Sequence, residues 1–263
     1  MSSLHTPSRL AVTFDDAHTV ANAGLALDGV LSEQLGLEQL AQEFIDVRPF
    51  PGRRVATLVH AMVAGAWCID DADVLHSGST SSTLGTFLRR FSFGHVRQLD
   101  RVCEALLTRA WSLGAGPGDE PMTIDLDSTI CKVYGSQKQG AGYGYTKVLG
   151  YHPLLETRAE TGETLHVRFR KGSANSGRGA ERFVREVVGR ARRAGASGAR
   201  TLRADSGFFS QFVVKACRHH HVRYSITVRQ NPAIQRAIEQ ITEDVWMPID
   251  YTVNGDAWVG ETT

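Results

Sequence analysis

The sequence predicts an α/β protein in which a mixed sheet follows an all-helical N-terminal region and a β-rich segment begins at the C-terminus. Three observations predict it. Apolar residues recur at helical spacing as far as Leu113, the run Gly114–Pro121 (GAGPGDEP) interrupts them, and from Met122 onward alternating or β-branched runs interleave with amphipathic ones. The divisions expected are residues 1–116 (helical), 117–244 (sheet core) and 245–263 (start of the β-rich segment, cut short). A chain of 263 residues with 42% hydrophobic and 22% charged residues has ample apolar material for a core, which excludes disordered, collagen-like and coiled-coil classes.

The helical third divides at Gly36 into Asn22–Leu37 and Glu38–Ile45, then continues with Val55–Trp67, a short helix capped by Ser82, and Gly94–Leu113. In the last of these Val96, Leu99, Val102, Leu106 and Ala110 form one apolar stripe. Met122–Thr129 alternates as a strand, with Ile124 and Leu126 on one side and Asp125 and Asp127 on the other. A glycine-rich loop, Gly135–Tyr145, follows, and then a hairpin of Tyr151–Ala159 and Thr164–Arg170 turning at Glu160–Glu163. Gly179–Ala194 is amphipathic, with Phe183, Val184, Val187 and Val188 inward and its arginines outward. A strand at Arg200–Ala204, a helix at Phe209–His219, a strand at Val222–Val228, a helix near Pro232–Ile241 and a strand-like tail from Val245 complete the series. Strand, strand, strand, helix, strand, helix, strand is the order of an RNase H-like core, in which the first and fourth strands are neighbours.

Charge is unevenly distributed. Residues 1–120 hold 9 Lys/Arg against 14 Asp/Glu, whereas 165–236 hold 16 against 3. A near-neutral whole with one basic third points to a face for a polyanion, and DNA is the partner expected. Arg168, Arg170, Lys171 and Arg203 are the candidate DNA contacts because they flank the carboxylates discussed next, although charge runs also arise as plain solvated surface. No stretch reaches the roughly 18 apolar residues of a membrane span, and the N-terminus lacks the apolar run of a signal peptide. The expectation is a cytoplasmic, nucleoid-associated protein without membrane contact. Cys68, Cys103, Cys131 and Cys217 lack CxxC spacing and read as packing residues. The run His219–His221 reads as helix C-terminal, since adjacent residues on a helix do not face one another.

Asp127 stands near the end of the first strand and Asp205 directly after the fourth. Neighbouring strands lie about 4.8 Å apart, and ligand sites of open sheets lie at their carboxyl edge. Two carboxylates so placed suit a hard divalent cation, Mg²⁺ or Mn²⁺. A pair of such ions roughly 3.5–4 Å apart serves in-line phosphoryl displacement. A lone Asp at a strand end is more often a turn former or helix cap. Tyr143 and Tyr145 offer faces for base stacking within what is otherwise a connecting loop.

Several stretches resemble bacterial insertion-sequence transposases of the DDE type. They are DLDST (Asp125–Thr129), LRADSGF (Leu202–Phe208), GYHPL before the hairpin, RKGSA after it, and SSTLGTFLRRFSFGHVRQLD (Ser81–Asp100); the likeness extends over most of residues 20–260. The resemblance implies cut-and-paste DNA transposition by an RNase H-like domain holding two metal ions, usually as a homodimer. It makes Asp127 the first acidic residue of the triad, with Asp125 as runner-up, and Asp205 the second. The third, a Glu on a late helix, has no counterpart here: Glu261 lies in a strand-like tail. The resemblance therefore implies a truncated transposase, inactive alone; its rivals are a catalytically dead DNA-binding or interaction protein and an RNase H-like nuclease. The resemblance also implies that the helical region binds terminal repeats, a role that its acidic balance here opposes.

Overall fold

A computed structural model describes residues 24–49, 51–75, 79–135, 137–249 and 257–261. Five helices come first: α1 (Leu25–Leu35), α2 (Leu37–Phe44), α3 (Pro51–Val63), α4 (Ser81–Arg89) and α5 (Phe93–Ala110). The expected first residues of α1, Asn22 and Ala23, lie outside the described residues. Gly36 separates α1 from α2 at φ 67°, and a side chain there would meet the Arg109 guanidinium at 2.1 Å. The left-handed backbone there favours glycine. Leu37, Leu40 and Ala41 on α2 pack with Val55, Ala56, Phe87 and Val102 as a first core. The cap of α4 is Thr80 rather than Ser82, because Thr80 is extended and its side chain accepts from the Thr83 N–H.

The sheet region contains β1 (Met122–Ser128), β2 (Cys131–Lys132), β3 (Gly142–Tyr143), β4 (Leu149–Tyr151), β5 (Leu154–Arg158), β6 (Thr164–Arg168), β7 (Arg200–Ala204) and β8 (Arg223–Ile226), with α6 (Ala180–Arg193), α7 (Gln211–His219) and α8 (Pro232–Glu239). Five strands form one mixed sheet in the order β6-β5-β1-β7-β8. β5 is antiparallel to β1 and to β6, while β7 is parallel to β1 and to β8. A small hairpin, β9 (Met247–Ile249) with β10 (Ala257–Val259), ends the described chain; residues 250–256 of the expected strand-like tail lie outside it. Among the described residues no helix is long and apolar enough to cross a membrane.

Two differences from the sequence expectation have local causes. The single strand expected at Tyr151–Ala159 is divided at His152-Pro153, where proline has no N–H to donate to a ladder. The residues before the break join β2 and β3 in a separate three-stranded sheet built from part of the glycine-rich loop. The second difference is on α6. Phe183, Val184, Val187 and Val188 are fully buried against Ile124, Leu126, Leu154 and Leu202, as their spacing predicts. Arg190 also points inward, and its side chain is only 5% exposed. It is drawn there by Asp100 and Glu104 of α5, which the helix's own sequence does not reveal.

Beside this ion pair, Glu156 of β5 is buried, and neither of its carboxylate oxygens has a hydrogen bond. Burial pushes its pKa well above the usual carboxylate range, against the pull of Arg168 and Arg190. The folded chain therefore keeps a proton that the unfolded chain loses near pH 4.3. That contribution is fully present at lower pH and is lost as pH rises toward the folded pKa. Glu156→Gln is expected to leave the urea midpoint unchanged at pH 4 and to raise it at pH 8. Equal effects at both pH values would contradict a protonated Glu156.

Candidate active site

The alternation of β1 puts Ile124 and Leu126 into the core and Asp125 and Asp127 on the other face. In the parallel pairing of β1 with β7 the last partners are Leu126 and Ala204. Asp127 and Asp205 are the next residue of each strand, and both are exposed at the carboxyl edge. With neighbouring strands about 4.8 Å apart, the two backbones present their acids side by side. One oxygen of each carboxylate is committed locally: Asp127 Oδ1 accepts from the Ser128 N–H at 2.6 Å, and Asp205 Oδ1 from the Gly207 N–H at 2.8 Å. These bonds orient the groups and leave the second oxygen of each without a hydrogen bond among the described residues. Two exposed carboxylates with free oxygens match the donor preference of Mg²⁺ or Mn²⁺. No third His, Cys, Asp or Glu completes a metal-holding group among the described residues.

Asp125 has a different environment. Its partner in the register is Arg203, whose guanidinium meets both carboxylate oxygens, at 2.6 and 2.7 Å. The same contact raises the Arg203 pKa above its ordinary value.

A cleft of about 820 Å³ opens beside Asp205, lined by Tyr145, Asn175, Ser176, Ser206, Phe209, Arg229 and Asn231 among others. Its wall at residues 173–176 is organised by Arg170. The Arg170 Nε donates to His152 O, and its Nη1 to the carbonyls of Asn175, Ser176 and Arg178. Burial and the neighbouring Arg168 and Arg178 lower the Arg170 pKa to about 10. Gly172 permits this course: a side chain there would lie 2.1 Å from Gly150 O and 2.2 Å from Gly142 O.

The structure thus sets Asp127 and Asp205 one residue past the last paired positions of neighbouring parallel strands and gives three of the four candidate cations internal partners. Arg168 pairs with Glu186 and lies over the Phe183 ring, Arg170 holds the cleft wall, and Arg203 pairs with Asp125. Lys171 is exposed. Tyr145 lines the cleft, whereas Tyr143 is an exposed residue of β3. Sequence reasoning did not single out Arg229, Ser206 or Asn175. Arg229 was within reach, since it follows the end of β8 on the carboxyl edge where such sites gather.

No curated protein matches the chain. A family model described as "Transposase DDE domain group 1" matches residues 3–262, nearly its whole length. The chain belongs to the transposase DDE domain family, group 1.

Proposed function

We propose that this chain is the DNA-processing core of a DNA transposase, acting on phosphodiester bonds by divalent-metal chemistry to cut and paste an insertion sequence. The observation that carries the reading is the adjacency of Asp127 and Asp205 at the carboxyl ends of two parallel neighbours. Three antiparallel strands extended into a parallel pair support an RNase H-like assignment. Separate cores within the helices and within the sheet support a helical region up to residue 116 and a sheet core over 117–244. Leu107 and Trp111 of the helical region nevertheless pack into the second core, so the two are joined rather than linked loosely.

Asp127 and Asp205 are the residues that would hold Mg²⁺ or Mn²⁺, and Asp125, already neutralised by Arg203, is not. When bound, such ions polarise the scissile phosphate and activate the attacking oxygen. The protein's own contribution is to fix the two carboxylates and to bind DNA along the cleft. Lys171 and Arg229 are the cations for its phosphates, while Arg170 holds the cleft wall, Arg203 holds Asp125, and Arg168 is committed to Glu186 of α6. The third acid that complete catalysis requires is not grouped with the pair among the described residues. Metal-dependent binding is therefore the property to measure first.

Gel-shift of the purified chain on duplex DNA, with and without Mg²⁺, tests the reading. Binding is expected to strengthen with Mg²⁺, and Asp205→Asn is expected to lose that gain. Arg229→Ala should reduce the slope of log affinity against log salt by about 1. Binding indifferent to Mg²⁺ and to Asp205→Asn would favour a DNA-binding protein without a metal site, and absence of binding would reject the transposase reading.

A further inference from the structure

His152 is 1% exposed and lies at the break between β4 and β5, outside every role assigned so far. Its ring bridges two segments that share no ladder. Nδ1 is 2.8 Å from Ala174 O, and Nε2 is 3.0 Å from Ser128 Oγ. A carbonyl only accepts, so Nδ1 carries the proton; the neutral ring then has an acceptor at Nε2, and the Ser128 hydroxyl donates to it. The two ends of this bridge are the two parts of the site. Ser128 follows Asp127 and gives its backbone N–H to that carboxylate at 2.6 Å. Ala174 adjoins Asn175 and Ser176 in the cleft wall. The main chain reinforces the link, since His152 O accepts from Arg170 Nε and the Thr129 N–H donates to Pro153 O.

We propose that His152 is a positioning residue for Asp127: its imidazole fixes the end of β1 against the cleft wall through Ser128 and Ala174, and so holds the carboxylate ready for a divalent cation. The inference rests on the reading of Asp127 and Asp205 as metal ligands. A buried histidine also fills space, and the two roles separate by side-chain geometry. The Asn amide reaches about as far as Nδ1, so His152→Asn keeps the Ala174 bond and loses the Ser128 bond. The Gln amide reaches Nε2, so His152→Gln keeps the Ser128 bond and loses the other. Ser128→Ala removes only the hydroxyl.

The test is a Mn²⁺ titration of the full chain, followed by the electron paramagnetic resonance signal of free Mn²⁺, with unfolding midpoints measured in parallel. Ser128→Ala and His152→Asn are expected to weaken Mn²⁺ binding about 10-fold or more, the usual loss when an outer-shell partner is removed. His152→Gln is expected to bind nearly as the wild type does. Equal weakening by Asn and Gln, or wild-type affinity in both Ser128→Ala and His152→Asn, would overturn the proposal. Should His152→Asn fail to fold, Ser128→Ala at a half-buried strand end decides alone. A wild-type chain that takes up no Mn²⁺ would remove the metal reading itself, and this inference with it, a result seen before any substitution is made.

Discussion

Arg190→Met is expected to destabilise the fold by about 3 kcal/mol, the lower end of the range for breaking a buried ion pair from one side. Arg190 Nη2 donates to Asp100 Oδ1 at 2.8 Å and lies 3.8 Å from Glu104 Oε2, and Nη1 donates to Leu165 O. Methionine keeps most of the volume, so the loss is electrostatic: two half-buried carboxylates and a carbonyl lose their cation. The lower end applies because Asp100 and Glu104 remain 23% and 30% exposed, which lets water offset part of the loss. Arg193 reaches the same Glu104 at 2.6 Å from a position 63% exposed, so Arg193→Ala should cost under about 1 kcal/mol. Burial pushes the Asp100 pKa up, but the neighbouring His166 ring and the hydrogen-bonded Arg190 guanidinium hold it well below the usual range. Its stabilisation is present above the unfolded pKa near 3.9 and lost as pH falls through the folded value. The Arg190→Met penalty should therefore shrink in strong acid, and Asp100→Asn in the same chain should recover part of it. Urea midpoints of the wild type and these three variants check this, and an Arg193→Ala loss equal to that of Arg190→Met would contradict it. This ion pair joins α5 to α6.

How much of this was legible depended on whether a residue's environment is set by its own strand or by a distant one. The alternation of β1 and the four apolar residues of α6 placed the second core and the outward acids directly from sequence period. The partner of Asp125 was not legible, because it depends on the register that sets Asp125 opposite Arg203. Counting arginines in the basic third likewise could not tell that Arg170 is spent on carbonyls, nor that Arg190 turns inward. The sheet of β2, β3 and β4 escaped because its strands are two or three residues long and lie in or beside a glycine-rich run, too short for a period to show. His152 entered the sequence reading only as part of GYHPL, with no role of its own, because its two side-chain contacts are made at sequence separations of 22 and 24 residues.

The second large effect concerns the acids themselves. Asp127→Asn and Asp205→Asn are each expected to weaken divalent-metal binding by at least about 100-fold, beyond the usual cost of losing an outer-shell partner. Asp125→Asn should leave it nearly intact, because that carboxylate faces Arg203. Fe²⁺ binds oxygen and nitrogen sites somewhat more tightly than Mn²⁺; with ascorbate and peroxide it releases hydroxyl radicals that cut the nearest backbone. Sizing the fragments of the iron-loaded chain locates the ion without presuming its ligands. Cuts close to residues 127 and 205 are predicted in the same reaction, both lost in Asp127→Asn and both lost in Asp205→Asn. Cuts at only one of the two positions, or one cut surviving loss of the other acid, would show that the two carboxylates do not share an ion.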